Sequence, residues 1–507
     1  MKTHFVLPEV MIEVDDLAFD AQAIQSLDEI RVAQKLSLPA QCELTFLNPT
    51  AALDAGQRLA VGKKLRVALR SQGEALFLGE ITGLEFSYSP GSALVLRVRA
   101  YDRLHRLRKR QSVRAHVQET LPNLARELVA DLGLTLQTEA ATWPEWKRII
   151  QYRQTDLELL TEAAARCGMY FTLRDDDLLI FSLKGTGRPI PLRLGASLFE
   201  ARLDLNSDSA CRTVKAEGWD PLVVVPHSGS ANEARSGRQV AAEAAPSRFG
   251  ETGQRSLADE LTADDRQAQA LAQAELDVRH AREVTFWGVA EGDAQLSPGS
   301  VIDIAGVEGA LEGHYVLTAV THLINLRGGY TSELSSEPPV LPAQARSSIV
   351  AMGVVTSVAD PEAIGRVQVK LPAYNEVETE WMGVLCNAAG PEKGLIMLPN
   401  VGDLVLVLFP REDPAEGIIL GGLYGIQGPP DSGVENGSVR RYTLLTEGGQ
   451  KIVLDDVRGS IHLEDKTGSS LDLSPTKVKL HAAVDLELEA PGKSIVIRGQ
   501  SIDFSRG

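Results

Sequence analysis

Side chains that could do chemistry are few and poorly grouped. His314 and His322 lie on one predicted strand, roughly 25 Å apart at 3.3 Å per residue, so they cannot share a metal there. Asp102 and His105 could form an acid–base pair, but no nucleophile motif accompanies them. The Gly-Thr-Gly stretch at 185–187 lacks the rest of a phosphate-loop motif. We therefore predict no catalytic, cofactor-binding or metal site.

Charged residues and cysteines also give no sign of chemistry. The basic run at 103–114 is either a contact for an acidic protein surface or a solvated face. Acidic pairs at 455–456 and 464–465 have the composition of turns, with an ion gathered by symmetry as the alternative. The four cysteines are widely spaced and form no CxxC pair, which predicts buried free thiols. A net charge of -17 disfavours nucleic acid as a partner.

The overall composition is that of a globular, multi-domain protein. At 507 residues the chain can form roughly three domains of ordinary size, and 44% hydrophobic with 23% charged residues is typical of folded proteins. Residues 1–9 lack the apolar core of a signal peptide, and no apolar stretch is long enough to span a membrane. We expect synthesis and assembly in the cytoplasm.

The upstream pattern is mainly β with an α/β insertion. Thr155 and Glu158 have capping-box spacing, and Gly168 follows as a C-terminal stop signal, so a helix is expected between them. Another helix is expected at about 120–132 and a third at about 263–282, after a long loop at 227–261. Strands are expected at 64–69, 75–81, 93–100, 169–173, 178–183, 283–289, 300–304, 314–322 and 330–334. Short alternating strands with many turns at 349–426 predict a five-stranded OB barrel.

Past residue 450 apolar residues recur at i and i+2, and polar turns separate the pairs. The pairs are Ile452/Leu454, Ile461/Leu463, Leu471/Leu473, Val478/Leu480, Leu486/Leu488, Ile495/Ile497 and Ile502/Phe504. Each pair lies on one face of a short strand, which buries too little surface for a single chain. Three chains wound about a common axis would close these faces into a prism. A single-chain, seven-stranded sandwich is the alternative.

Several segments resemble the hub and spike proteins of contractile injection systems, namely valine-glycine repeat protein G (VgrG) of type VI secretion and phage late control protein D. In the hub these are AYDRLHRL at 100–107, QYRQTDLELL at 151–160 and LEGHYVLTAVTH at 311–322. GRVQVKLP at 365–372, Trp381, LPNVGD at 398–403 and VLVLF at 405–409 are similar to the OB domain of that group. The order of these segments along the chain is the family's order.

The resemblance implies a multi-domain fold with a hub of barrel-like lobes, an OB barrel and a C-terminal triple-stranded intertwined β-helix that is trimeric. The domains would be a first hub lobe at 1–100, an α/β hub domain at 101–200, a second lobe at 201–345, the OB domain at 349–426, a linker at 427–436 and a β-helical spike at 437–507. A homotrimer would adapt a sixfold tail tube to a threefold needle. Whether the machine is a phage tail, a type VI system or an extracellular particle stays open.

The implied partners are an inner tube protein, baseplate wedge proteins, effector cargo, a transiently punctured membrane and a tip protein of the proline-alanine-alanine-arginine repeat (PAAR) family. The tip would sit on Ile502, Phe504, Arg506 and Gly507. About ten residues stand where some phage spikes insert a lysozyme domain, and the chain ends at Gly507 where some relatives continue into a toxin, so no enzyme is expected. A tail-associated cell-wall hydrolase and a receptor-binding tail adhesin are the alternatives.

Overall fold

The computed structural model divides the chain into two compact units, residues 1–422 and 423–507. It describes residues 9–49, 58–70, 75–90, 94–139, 142–220, 222, 225–340, 347–426 and 428–505.

The first lobe is an antiparallel sheet rolled around a buried core. Period-2 alternation on β4 and β7 places Leu44, Phe46 and Val98 inside, as expected for strands with one buried face. All three predicted strands of this lobe are confirmed. Its elements are β1 Val10–Val14, β2 Leu17–Ala18, α1 Ala21–Gln25, β3 Leu27–Lys35, β4 Gln41–Leu47, β5 Lys64–Leu69, β6 Ala75–Ser87 and β7 Val95–Tyr101.

An α/β layer follows, with its own core. The Thr155 hydroxyl accepts from the Glu158 N–H while the Glu158 carboxylate accepts from the Thr155 N–H, so the predicted capping box is confirmed. Gly168 has a φ of 68°, the left-handed conformation that ends this helix. The elements are 3₁₀ helices Arg103–Lys109 and Ala130–Leu132, β8 Arg114–Thr120, α2 Leu121–Val129, β9 Thr135–Thr138, β10 Glu145–Gln151, α3 Asp156–Arg166, β11 Met169–Arg174 and β12 Asp177–Ser182.

The second lobe shares a sheet with the first. β22 pairs with β3, placing Ile324 opposite Ile30, and this pairing joins both lobes in one eleven-stranded sheet while each keeps a separate core. The elements are β13 Thr186–Arg193, β14 Leu198–Leu205, β15 Thr213–Asp220, β16 Val225–Ala231, β17 Gln239–Val240, β18 Gln254–Leu261, α4 Asp265–Glu283, β19 Val284–Glu291, β20 Ser300–Ala305, β21 Gly313–Val316, β22 Ala319–Asn325 and β23 Gly329–Ser335.

Two predictions about the second lobe are wrong. The expected long loop at 227–261 contains all of β17 and β18 and most of β16, and β16 and β18 flank β15. A Cβ on Gly229 would meet the Gln269 nitrogen at 2.3 Å, so β16 uses small residues to approach α4 closely, and this composition hides its strand pattern. The expected single strand at 314–322 is two strands, because His314 pairs within the β20–β21 sheet and His322 within the eleven-stranded sheet.

The barrel sheet at 349–422 contains six strands in the order β26-β25-β24-β28-β29-β27. Alternate residues on β28, Val405, Val407 and Phe409, enter its core, which also includes Leu222 from the hub. The sheet has one strand more than the five predicted, and β26 and β27 are only two residues long. The six strands are β24 Ile349–Ser357, β25 Gln368–Leu371, β26 Val377–Glu378, β27 Gly383–Val384, β28 Leu404–Phe409 and β29 Ile418–Gly422.

The C-terminal unit contains a two-stranded hairpin and a five-stranded antiparallel sheet, called the C-terminal sheet below. Asn436 and Gly437 both have positive φ, as a two-residue hairpin turn requires. The strands are β30 Val434–Glu435, β31 Ser438–Val439, β32 Arg441–Leu445, β33 Lys451–Asp455, β34 Ser460–Glu464, β35 Ser470–Leu473 and β36 Val478–His481.

Candidate assembly interface

The C-terminal sheet places its apolar pairs in register on one face, called the apolar face below. Each strand pairs with the next along the chain, so Ile452 lies opposite Leu463, and Leu463 lies opposite Leu471. Two ladders of side chains result, namely Leu444, Ile452, Leu463, Leu471 and Leu480, and Tyr442, Leu454, Ile461, Leu473 and Val478. The predicted pairs from 452 to 480 therefore share one surface.

The apolar face is open to solvent in a single chain. Ile452 is 37% exposed, Leu463 36% and Val478 69%, values far from those of core residues. The apolar pairs on β33–β36 all lie in one five-stranded sheet and their shared face is exposed, so the sandwich alternative does not describe this part of the unit. A contiguous apolar surface of this kind marks an interaction site.

The opposite face is polar and internally paired. Lys451 Nζ lies 2.5 Å from Glu464 Oε2, and His462 Nδ1 lies 2.5 Å from Asp472 Oδ1. The hydrogen bond to Asp472 is the main reason that the pKa of His462 is raised above its usual value. These cross-strand pairs suit a solvated surface, so the sheet has one polar face and one uncovered apolar face.

The chain uses its own strands in this sheet, which differs from the expected winding of three chains. Turns at Gly459 and Gly468, both with positive φ, let each strand fold back on the preceding one. Beyond His481 the described residues, through Ser505, form no strand, and Leu486, Leu488, Ile495, Ile497, Ile502 and Phe504 are exposed. Arg506 and Gly507 lie outside the described residues.

Sequence reasoning missed the first rung of the ladders. Tyr442 and Leu444 have the same i, i+2 spacing as the later pairs and lie opposite Leu454 and Ile452. The spacing alone could have found them.

A second uncovered apolar surface, the barrel loop, lies between β27 and β28. Ile396 is 77% exposed, and Leu395, Met397, Leu398 and Val401 are exposed beside it. Five exposed apolar side chains within seven residues form an apolar patch of the kind that marks an interaction site.

The residues considered for acid–base chemistry have structural partners. Asp102 accepts from the N–H groups of Ala40 and Leu104 at 2.7 and 2.9 Å, and burial raises the pKa of its carboxyl group to about 7 against those two bonds. His105 instead contacts Glu80 at 2.9 Å. Asp102 also lines a crevice of about 370 Å³, where its two oxygens are already occupied. The side chains of Asp102 and His105 therefore bond to different partners and not to each other.

The remaining candidate residues have local roles. In the basic run, Arg103, Arg106, Arg110 and Arg114 form ion pairs and Arg108 stacks over Tyr101. In the acidic pairs, Asp455 and Asp465 accept backbone N–H groups of their own turns. Cys42, Cys167 and Cys211 are buried free thiols as predicted, and Cys386 is half-buried. His322 is enclosed, and burial lowers its pKa to about 4.

The described residues offer neither a metal-binding cluster nor a membrane-spanning helix. They contain no group of three or more His, Cys, Asp or Glu side chains placed to hold a metal ion. No helix among them has the length and apolar character needed to cross a membrane.

Two family models match the chain in the order of its domains. Residues 34–328 match the phage tail baseplate hub (GPD) family, and residues 351–424 match the type VI secretion system/phage-baseplate injector OB domain. No curated protein matches the chain.

Solved structures with the same fold come from several bacteria. The Escherichia coli c3393 protein, a component of the type VI secretion system, has a TM-score of 0.53 at 14% identity over 82% of this chain and 99% of that one. The Francisella PdpA–VgrG complex has a chain with a TM-score of 0.52 at 10% identity over 93% of this chain and 87% of that one. A Shewanella oneidensis prophage MuSo2 tail protein has a TM-score of 0.50 at 14% identity over 65% of this chain and 98% of that one.

Fold and family models together define a baseplate component of phage or type VI secretion type. The chain belongs to the phage tail baseplate hub (GPD) family and is a VgrG-like, mainly β, multi-domain hub protein.

Proposed function

We propose that the protein is the homotrimeric hub and spike of a contractile injection system, with the C-terminal sheet as one side of a three-sided needle. The uncovered apolar face is the observation that supports this proposal most strongly. Three copies could bury their ladders against one another, and the polar faces would remain in water. The fourteen predicted core residues at 452–504, together with Tyr442 and Leu444, would line the axis.

Residues 482–505 would contribute the lower needle. They form no strand with their own chain, so their backbone groups would find partners on the two other copies. The exposed barrel loop at 395–401 would pack against a neighbouring copy, which gives the trimer a second contact in the other unit of the chain.

The hub would convert threefold into sixfold symmetry. Each chain has two lobes with separate cores in one continuous sheet, so three copies would present six lobes to a sixfold inner tube. Baseplate wedge proteins would bind around it, and the particle would be assembled in the cytoplasm. The domain boundaries stay predictions.

Ile502 and Phe504 would form a platform for a PAAR-like tip protein, together with Arg506 and Gly507. Phe504 is 91% exposed, and an exposed aromatic side chain next to an exposed isoleucine suits a protein contact. Effector cargo could attach through such a tip, and the needle would cross the target membrane only transiently.

The trimer is tested by native mass spectrometry and sedimentation of the full-length protein across a dilution series. We expect a particle about three times the 54.7 kDa of one chain that persists to submicromolar concentration. A stable monomer at all concentrations would refute the proposed needle.

A cell-wall hydrolase and a tail adhesin remain less suitable functions. Asp102 and His105 are held apart in separate contacts, and Phe504 is the only aromatic residue after Tyr442 that could contact a receptor. Purified protein is expected to release no soluble fragments from peptidoglycan above a buffer control, with lysozyme as the positive control. Turnover that scales with protein concentration would contradict a purely structural role.

A further inference from the structure

The contact between the hub and the barrel sheet, called the hub–barrel contact, combines the burial of Leu222 in the barrel core with specific polar bonds. Arg148 Nε lies 2.9 Å from Glu380 Oε1, and Tyr152 Oη donates to the Glu412 carbonyl at 2.7 Å. Arg411 Nη1 lies 2.6 Å from Glu260 Oε2. The barrel therefore docks on β10 and β18 of the hub through hydrogen bonds and ion pairs.

One carboxyl group in this region, that of Glu416, has a buried oxygen atom that lacks a hydrogen-bond partner within the described part of the chain. Glu416 lies in the turn before β29, and none of the described residues gives its buried Oε2 a hydrogen-bond partner. A buried polar atom without a partner is unfavourable when charged and much less so when the carboxyl group is protonated.

The charges around Glu416 do not balance. Asp413 from the same turn and Asp220 from β15 are the neighbouring carboxylates, and Arg166 from α3 and Lys147 from β10 are the neighbouring cations. Arg166 lies 3.9 Å from Asp413, and Lys147 lies 3.9 Å from Asp220, so both cations are already shared with other carboxylates. With three acids and two bases, one negative charge in this group would have no counter-ion if all three carboxyl groups were ionised.

We propose that the hub–barrel contact is proton-linked, with Glu416 protonated while the barrel is docked and the contact weakening when Glu416 ionises. Burial, and then the charges of Asp413 and Asp220, raise the pKa of Glu416 to about 8. An undocked Glu416 in water would have its ordinary pKa of about 4.5.

The direction of the pH effect follows from these values. Between about pH 4.5 and 8 the docked state holds one more proton than the undocked state, so docking is strongest below this window. The equilibrium constant for opening should rise up to tenfold per pH unit within the window and level off above about pH 8. This device lies in the hub and barrel and does not depend on the trimer.

The test is hydrogen–deuterium exchange of the full-length protein between pH 6 and 9, corrected for intrinsic exchange, in peptides covering 145–153 and 378–384. In the native chain we expect opening to increase about a hundredfold from pH 6 to 8 and then to level off. Glu416→Gln should abolish this dependence. Glu362→Gln, which alters an exposed barrel carboxylate paired with Arg366, should keep it.

Asp413→Asn provides a second variant if Glu416→Gln folds poorly. Removing that like charge should move the midpoint of opening to lower pH. The proposal is overturned if opening in the native chain is independent of pH, or if Glu416→Gln keeps the native dependence. Native mass spectrometry of the same samples shows whether the trimer is present. A negative result for this proposal can therefore be distinguished from a negative result for the proposed trimer.

Discussion

Ile452→Glu is expected to convert the full-length protein from a trimer into a monomer. Ile452 lies on the apolar face between Leu444 and Leu463, so a trimer would bring three glutamates together at one level of a dry axis. Burying unpaired carboxylates, and placing them close together, costs several kcal/mol for each group. This cost in free energy is larger than the stabilisation that the apolar contacts of one rung provide. The trimer should therefore dissociate.

Val453→Glu is the matched control. Val453 is the next residue of β33, is also β-branched, and points to the polar face between Thr443 and His462. The same change of charge should leave the trimer intact, because the new carboxylate stays in water. Sedimentation and native mass of both variants provide the measurement. Equal loss of the trimer in both would show that the apolar face is not the interface.

The apolar face could be predicted from the sequence because the alternation of side chains along a strand depends only on neighbouring residues. Spacing at i and i+2 places side chains on one face whatever the strand's partner, so Ile461 and Leu463 could be assigned without coordinates. The partner of each strand could not be assigned. The short turns at Gly459 and Gly468 permit hairpins, and only the structure shows that they form within one chain.

Helix signals in the α/β layer were equally local, whereas the conformation of β16 in the second lobe was not encoded locally. Thr155, Glu158 and Gly168 fix α3 through bonds within a few residues. In contrast β16 is a strand because β15 and α4 hold it, and its Ser and Gly residues lack the usual apolar alternation. Tertiary contacts decided that element, which is why the sequence predicted a loop.

The contacts of the ionisable residues Asp102 and Glu416 also depend on residues that are distant in the sequence. Asp102 bonds to the N–H of Ala40, and Glu416 lies near Asp220, contacts that join residues far apart in the sequence. No motif encodes such contacts. The sequence contains no active-site motif that we recognise, and it gives no sign of the Glu416 carboxyl group near the hub–barrel contact.

A buried carboxylate at the end of α4 gives the second large expected effect, on stability. Glu283 is fully buried, and its oxygens accept from Arg212 at 3.2 Å, from Arg238 at 3.1 Å and from the Ala244 N–H at 2.6 Å. Glu283→Gln keeps the shape and removes the charge, which leaves the buried Arg238 guanidinium without its anion. We expect the free energy of unfolding of the hub to fall by about 3–5 kcal/mol.

Glu243→Gln separates burial from charge, because Glu243 pairs with the same Arg212 at 2.5 Å while its side chain is 63% exposed. Water already solvates that carboxylate, so its loss should change the free energy of unfolding by less than about 1 kcal/mol. Scanning calorimetry should place the hub transition of Glu283→Gln about 5 °C below that of Glu243→Gln. Matching transition temperatures would mean that the Glu283 charge contributes nothing beyond a surface ion pair, and the buried network would then owe its stability to packing and backbone hydrogen bonds.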